Sequence, residues 1–291
     1  MQAFEATKSC LLRLTGGSPR GLHGDSSLAW MGHYRAGLPR GVCWVALLGG
    51  GWMVGRVDQA GAFTGTDIAF LYPDLRTALV GEWREGRLVD GRAATITGLE
   101  EVQGVMVPTF TLTDTTNSYE RWISTDTRLL NPPHLRDPYE SRLVEVADSG
   151  VEGGGEGLYA RRDIPAGTLI AYYNGIRMVK AQHSPYRDTG YAIFVEWEER
   201  GKKSGDHMDL PPELHSSAAY TATLAHKLNH SFIPNSEWSN AEHPCFGLVP
   251  SVTTFLEVRA GEELTVNYAL DMEHAPPWYL DCWERHSSIT N

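Results

Sequence analysis

HKLNHSFIPNSEW occupies residues 226–238 and GEELTVNYALD occupies residues 261–271, and these two segments decide the fold of the C-terminal half. Two further segments flank them: GGGEGLYARRDIPAGTLIAYYNG at 153–175 and PPWY at 276–279. Each segment alone is a weak signal, because a glycine run is usually a flexible loop and Asn-His-Ser occurs by chance. All four in this order, at domain-sized spacing, form a strong signal and assign the chemistry to the second half of the chain.

Taken together, these segments resemble the SET domain, with its glycine-bearing first loop, then Tyr-Asn-Gly, Asn-His-Ser and Glu-Glu-Leu-Thr-Val-x-Tyr. Further matches are GVCWV at 41–45, LYPDLRTALVGEW at 71–83 and DPYES at 137–141. They extend the resemblance over roughly residues 32–290, to the MORN-repeat-bearing SET-domain lysine methyltransferases of the histone H3 lysine-4 monomethyltransferase family. The resemblance implies a protein-lysine N-methyltransferase that uses S-adenosylmethionine on a lysine of a histone tail or of another protein.

Glycines recur through the N-terminal half. Residues 32–91 hold 12 glycines, in units that begin at Gly32, Gly55 and Gly81, a spacing typical of stacked repeats. Each unit is interpreted as a β-hairpin with one apolar face, whose turns need positive φ and therefore glycine. Neighbouring hairpins must stack to bury that face. The units resemble MORN repeats, most clearly in GEWREG at 81–86. We interpret them as a scaffold, with docking of a protein or a lipid as the alternative.

The predicted fold is mainly β, with an N-terminal stacked β-hairpin (MORN-like) repeat sheet followed by a SET domain of small curled sheets. The resemblance adds a knot-like C-terminal segment. Local patterns add a short helix around 221–230 and a C-terminal helix within 275–288. The expected divisions are 1–31, an N-terminal lead-in or partial repeat; 32–115, the repeat region and following strands; 116–136, a linker; 137–272, the SET domain; and 273–291, a cofactor-capping segment.

The composition narrows the classes of partner and location. A formal net charge of −11 disfavours a direct nucleic-acid binder and suits a basic partner such as a Lys-rich peptide. The four cysteines form no Cys-x-x-Cys pair, which argues against structural zinc and against a disulfide framework. No apolar run is long enough for a membrane span, and the N-terminus lacks the features of a signal peptide. We therefore expect an intracellular protein, in the nucleus or the cytoplasm.

The resemblance implies two regions of cofactor contact. One is the glycine-bearing loop and the other includes the Asn-His pair and an aromatic cap, so the expected contacts are Gly155, Glu156, Gly157, Asn229, His230 and Trp278. The Trp278 ring would cover the adenine as a flat apolar surface. Four residues later the family has an acid, where this chain has Cys282, and the neighbouring Asp281 and Glu284 could substitute for it.

The resemblance also implies a narrow channel for the target lysine, walled by Tyr173 and Tyr268. Tyr268 is the expected catalytic residue, because its hydroxyl can orient the amine. By the same resemblance Lys227 is expected to tune the site, with an exposed surface lysine as the alternative. Trp238 and Leu270 stand where the family has tyrosines, so the channel loses two hydroxyls. The number of methyl groups transferred is therefore left open.

Other interpretations of these motifs are weaker. His226 and His230 have the i, i+4 spacing of a helical metal pair, but Lys227 replaces the usual glutamate and no third ligand is evident, so no metal is expected. The GGGEG run lacks the phosphate-loop pattern.

An insertion near 195–206 leaves the cofactor residue within 187–192 unassigned. The alternative to an enzyme is a SET-fold binding or scaffold protein with little or no catalysis.

Overall fold

The computed structural model describes residues 29–121, 135–179, 191–199 and 202–290. Most of the expected lead-in at 1–31 and much of the expected linker at 116–136 lie outside these residues. The described chain is mainly β, with its strands in four sheets, which confirms the predicted fold class. No helix among the described residues is long and apolar enough to cross a bilayer.

The N-terminal part is one antiparallel sheet of seven strands in chain order. The strands are β1 (Ala29–Arg35), β2 (Leu38–Ala46), β3 (Trp52–Val57), β4 (Gly65–Leu71), β5 (Thr77–Arg84), β6 (Arg87–Val102) and β7 (Val105–Leu112). The pairs Ala36-Gly37, Glu85-Gly86 and Gln103-Gly104 form two-residue turns with positive φ at both positions. This is the type I′ geometry, which suits the twist of paired strands. The predicted row of hairpins is confirmed.

The described residues of the C-terminal part form three smaller sheets, with strand orders β10-β16-β15, β11-β13-β12 and β14-β17-β9-β8. Their strands are β8 (Val144–Asp148), β9 (Glu156–Ala160), β10 (Leu169–Tyr172), β11 (Ile176–Val179), β12 (Ile193–Glu199), β13 (Lys202–Asp209), β14 (Asn229–His230), β15 (Ser236–His243), β16 (Gly247–Thr254) and β17 (Glu263–Val266). The helices are α1 (Glu140–Leu143), α2 (Pro277–Thr290) and two 3-10 turns, Pro212–Leu214 and Ala225–Lys227. The predicted C-terminal helix is therefore present, and the knot-like C-terminal segment stays a prediction.

The predicted short helix around 221–230 is wrong. Its helical part is only the 3-10 turn Ala225–Lys227, and Leu228 is already extended, at φ −73 and ψ 123. Asn229 and His230 pair in parallel with Thr265 and Val266 of β17. Pairing with a strand distant in sequence therefore overrides the local helical pattern, and His226 and His230 do not share a helix face.

One apolar core joins the two parts of the chain. Val45, Phe70 and Leu79 of the repeat sheet belong to the same buried cluster as Leu158 and Val252 of the small sheets. The opposite face of the repeat sheet has its own, smaller cluster around Trp44, Val54 and Leu71. Because successive residues of a strand point to opposite faces, Trp44 and Val45 fall in different clusters. The repeat sheet is thus packed directly onto the part that carries the chemistry.

A buried polar junction accompanies this packing. Asp137, which is 3% exposed, accepts hydrogen bonds from the backbone N–H groups of Tyr139 at 2.9 Å and Glu140 at 2.8 Å. Its other carboxylate oxygen accepts the Tyr72 hydroxyl at 2.5 Å and lies 3.1 Å from Nε2 of His243. Tyr72 follows β4 in the repeat sheet and His243 ends β15, so one carboxylate ties both parts together.

Candidate active site

A cleft of about 1320 Å³ opens between the loop before β9, the segment 225–230, the chain after β17 and the start of α2. Ten of the residues predicted for the site line it: Gly155, Glu156, Tyr173, Lys227, Asn229, His230, Trp238, Tyr268, Leu270 and Trp278. Gly157, the remaining predicted residue, is buried and is not among the lining residues. Segments far apart in the sequence therefore converge here, as the motif order led us to expect.

The glycine-bearing loop that joins β8 to β9 is held by its own backbone. Ser149 N–H donates to the Gly155 carbonyl at 2.7 Å, and Gly154 N–H donates to the Val151 carbonyl at 2.9 Å. Gly153 and Gly155 have φ of 74 and 61, and a β-carbon at either would meet no atom within 4 Å. The loop therefore presents open main chain beside the cleft.

Glu156 and Lys227 form a pair at the end of this loop. Nζ of Lys227, whose side chain is 5% exposed, donates to Oε2 of Glu156 at 2.7 Å and also to the His215 carbonyl. Both the N–H and the hydroxyl of Ser217 donate to Glu156. Burial raises the pKa of the Glu156 carboxyl, but the hydrogen bonds from Lys227 and Ser217 outweigh burial and bring it down to about 2. Glu156 is therefore ionised in the neutral range.

An aromatic cluster, formed by His230, Phe232, Tyr268, Trp278 and Tyr279, closes the other end of the cleft. The His230 ring lies 4.7 Å from the Tyr279 ring, 5.3 Å from Tyr268 and 6.1 Å from Trp278. Its Nδ1 accepts the backbone N–H of Tyr268 at 3.2 Å, whereas its Nε2 is buried without a hydrogen-bond partner. Trp278 is 47% exposed and presents the indole to the cleft.

Tyr268 and Tyr173 both line the cleft. The Tyr268 hydroxyl donates to the Leu228 carbonyl at 2.7 Å, and burial, with Tyr191 nearby, raises its pKa above the usual range. The Tyr173 hydroxyl donates to the Tyr191 carbonyl. The Trp238 ring packs edge-on against Tyr173 with centroids 6.2 Å apart. Trp238 and Leu270 line the cleft without supplying a hydroxyl.

Sequence reasoning missed several residues of the cleft. Tyr191 lines it and stacks on His215 with ring centroids 3.6 Å apart, and Ser217 fixes Glu156 from behind. Tyr191 falls within 187–192, where the resemblance implied a cofactor residue that could not be assigned, whereas no motif pointed to His215 or Ser217. On α2, Arg285 donates to Sγ of Cys282 at 3.2 Å and to Glu152 at 3.1 Å.

Two buried histidines are expected to make the protein less stable in acid. Burial, with Lys227 and His215 adding to it, lowers the pKa of His226 to about 3, and burial lowers that of His230 to about 4. An unfolded histidine has a pKa of about 6.5, so below that pH the unfolded chain binds protons that the folded chain does not. The unfolding free energy therefore falls as the pH drops from about 6.5 toward 4, by up to about 1.4 kcal/mol per pH unit for each histidine.

Urea unfolding between about pH 7 and pH 5 measures this decline. The variant His226→Asn is expected to flatten it, whereas His274→Asn, at a side chain that is 77% exposed, should leave the slope as in the parent protein. An unchanged slope in His226→Asn would show that His226 does not carry the effect.

Two family models match the chain in the order of its two parts. The model described as Histone H3 K4-specific methyltransferase SET7 N-terminal covers residues 34–106, and the SET domain model covers residues 155–269. Fold and cleft thus define a SET-domain methyltransferase that carries a repeat sheet. The Halocynthia roretzi protein named Histone-lysine N-methyltransferase SETD7 is 34% identical over 269 residues, and the match covers 88% of this chain and 67% of that protein. This chain belongs to the SETD7 family of SET-domain methyltransferases.

Parts of two Polycomb complexes are among the solved structures that match part of this chain. A humanized mutant of the Chaetomium thermophilum Polycomb Repressive Complex 2 bound to the inhibitor GSK126 is 24% identical, with a TM-score of 0.33, over 44% of this chain and 15% of that chain. A ctPRC2 structure in an autoinhibited conformation bound to S-adenosylmethionine is 21% identical, with a TM-score of 0.32, over 50% of this chain and 17% of that chain. This chain therefore spans about a sixth of the Polycomb chains.

Membership of the family makes the chain a protein-lysine N-methyltransferase with S-adenosylmethionine as its methyl donor. The cleft fits this cofactor on three observations. The loop offers open main chain at Gly153 and Gly155, the Trp278 indole is half exposed, and His230 has a buried ring nitrogen without a partner. An elongated, partly charged and partly aromatic ligand can use all three, and an apolar ligand could use only the indole.

Proposed function

We propose that this enzyme methylates a lysine side chain of a histone or of another protein, with Tyr268 as its catalytic residue. The observation that carries the proposal is the meeting of the Tyr268 hydroxyl, the Leu228 carbonyl and the open glycine-bearing loop at one cleft. The name of the SETD7 relative supports a histone substrate, and the net charge of −11 favours a basic tail. A nuclear or cytoplasmic location is proposed because the relative is named as a histone methyltransferase.

The reaction needs a neutral lysine amine aligned with the methyl donor. A free lysine has a pKa of about 10.4, so only about one in a few thousand is neutral at pH 7. When bound, S-adenosylmethionine supplies an electrophilic methyl group on a positively charged sulfonium. We assign Tyr173, Trp238 and Leu270 to the channel wall, where exclusion of water lowers the pKa of the entering ammonium.

Tyr268 is proposed to orient the amine rather than to remove its proton. Because burial raises the pKa of its hydroxyl, this group keeps its proton in the neutral range. Because the hydroxyl donates its proton to the Leu228 carbonyl, the hydroxyl oxygen and the carbonyl oxygen can both accept N–H groups of the amine, which leaves the lone pair free to point at the methyl group. The ammonium proton leaves to water through the open side of the cleft before the amine is oriented in this way.

The cofactor is proposed to bind along the glycine-bearing loop, where Gly155, Glu156 and Gly157 contribute backbone, with Asn229 and His230 opposite. Lys227 is proposed to tune this end of the site through its buried pair with Glu156. Its ammonium donates to both Glu156 and the His215 carbonyl, which holds the ion pair in place at the end of the loop.

Replacing Trp278 by alanine is expected to weaken cofactor binding about tenfold or more, because stacking of a base on an aromatic ring contributes roughly 1–3 kcal/mol. Calorimetry with S-adenosylhomocysteine measures this change. Trp283→Ala is the matched control, since Trp283 lies on the same helix at 44% exposure and packs on Phe232 with ring centroids 5.2 Å apart. Equal losses in the two variants would contradict the role of Trp278 over the adenine.

Transfer of labelled methyl from S-adenosylmethionine to a panel of Lys-rich peptides and whole histones tests the function. We expect labelled product with the parent protein and almost none with Tyr268→Phe. A protein that binds the cofactor but methylates no member of a broad panel would instead be a binding or scaffold protein with the same fold. A protein that binds neither S-adenosylmethionine nor S-adenosylhomocysteine would overturn the proposal altogether.

A further inference from the structure

Glu263 lies at the start of β17, where that strand meets the glycine-bearing loop. It is opposite Tyr159 in the antiparallel pairing of β17 with β9. The same strand pairs in parallel with β14, which carries Asn229. The Glu263 side chain is therefore at the point where the loop, β9 and β14 come together, although no motif assigns it a role in the site.

Its carboxylate receives groups from all three of these segments. Oε1 accepts the Ser149 hydroxyl at 2.6 Å and the Asn229 amide at 3.3 Å. Oε2 accepts the Gly150 N–H at 2.9 Å and lies 3.1 Å from the Tyr159 hydroxyl. An ionised carboxylate accepts but cannot donate, so every neighbour must turn a donor toward it. Such charge-assisted hydrogen bonds are roughly twice as strong as neutral ones.

Two further contacts show how tightly this arrangement is built. A β-carbon at Gly157 would lie 2.4 Å from Oε1 of Glu263, so the glycine at this position leaves room for the carboxylate. Nδ2 of Asn229 also donates to the Ser149 hydroxyl at 2.9 Å and to the Glu156 carbonyl at 3.1 Å. With its amide nitrogen held on this side, Asn229 has one orientation.

We propose that Glu263 is a positioning residue for cofactor binding. It anchors the start of the glycine-bearing loop at Ser149 and Gly150 and fixes the carboxamide of Asn229. The open backbone at Gly153 and Gly155 is thereby held against the cleft before the cofactor arrives. Glu263 acts through these groups and touches no reacting atom. The inference rests on the proposed cofactor site, and its test includes a measurement that needs no cofactor.

The variant Glu263→Gln tests the inference. Its carboxamide keeps the size of the side chain but removes the charge and turns an N–H₂ toward groups that are themselves donors. Glu262→Gln is the matched control, since Glu262 is the exposed neighbour whose side chain accepts only the Arg259 N–H at 2.9 Å among the described contacts.

In the cofactor-free protein, amide hydrogen exchange of residues 149–155 is expected to become about tenfold faster in Glu263→Gln, with the Gly150 amide affected most. Glu262→Gln should exchange like the parent protein. Unchanged exchange in Glu263→Gln would overturn the inference whether or not the protein binds S-adenosylmethionine, so this arm is separate from the proposed function.

In the loaded enzyme, we expect Glu263→Gln to raise the KM for S-adenosylmethionine and the Kd for S-adenosylhomocysteine about tenfold, with kcat changed less than about threefold. A role in stability alone would lower the melting temperature and the active fraction but leave KM and Kd unchanged, and that result would overturn the inference. Failure of the parent protein to bind cofactor would refute the proposed function, and the exchange measurement would still decide whether Glu263 orders the loop.

Discussion

Tyr268→Phe is expected to lower kcat on the order of 10² to 10³-fold, the usual effect of removing one preorganised hydroxyl or amide donor from an active site. The phenyl ring keeps its contacts with the His230 and Trp278 rings, at 5.3 Å and 6.3 Å between centroids. Cofactor affinity should therefore stay within about twofold. Only the hydroxyl, with its 2.7 Å hydrogen bond to the Leu228 carbonyl, is lost. Steady-state methyl transfer, with calorimetric binding of S-adenosylhomocysteine alongside, measures both quantities.

Tyr279→Phe is the matched control for this substitution. Tyr279 is 3% exposed and belongs to the same aromatic cluster, 4.7 Å from the His230 ring. Its loss of a hydroxyl should leave kcat within about twofold. A fall in kcat of less than about fivefold in Tyr268→Phe, or an equal fall in both variants, would show that Tyr268 does not orient the amine.

Asp137→Ala is expected to lower the unfolding free energy by about 3 to 5 kcal/mol, because it removes one partner of a buried, hydrogen-bonded polar group. The Tyr72 hydroxyl and two backbone N–H groups would lose their acceptor inside the protein. Denaturant unfolding measures this loss. Since Asp137 joins the repeat sheet to the catalytic part, we also expect the two parts to unfold less cooperatively in the variant.

Asp90→Ala provides the comparison, because the Asp90 side chain is 52% exposed and its ion pair with Arg92 spans 3.7 Å. Such a surface change should alter stability by no more than about 0.5 kcal/mol. If Asp137→Ala also lost less than about 1 kcal/mol, the buried junction would contribute little to the union of the two parts.

Much of the fold could be predicted from the sequence because its signals are local. Paired X-Gly turns such as Glu85-Gly86 require positive φ, which glycine adopts freely, so the row of hairpins is visible in the spacing of glycines. Alternation along β2 places Trp44 and Val45 on opposite faces without any knowledge of what covers them.

What could not be predicted depends on pairing between distant segments. The helix expected around 221–230 gives way because Asn229 finds its partner Thr265 in another strand, and no local pattern contains that information. Glu263 is one of two adjacent glutamates in GEEL, and only the structure distinguishes the one that contacts the loop from the exposed one. Tyr191 lines the cleft from a segment that could not be aligned, and Ser217 holds Glu156 from a segment with no motif.

The parallel pairing of β14 with β17 also bears on how the enzyme is made. The repeat sheet consists of neighbouring hairpins and can form while translation continues, since domains generally fold from the N-terminus as they emerge. The cleft cannot form at that stage. Asn229 and His230 pair with Thr265 and Val266, which leave the ribosome later. Contacts between residues so far apart form slowly. A nascent chain released before residue 268 would therefore contain a complete repeat sheet and no methyltransferase, and ribosome-arrested intermediates of defined length would make that order of events visible.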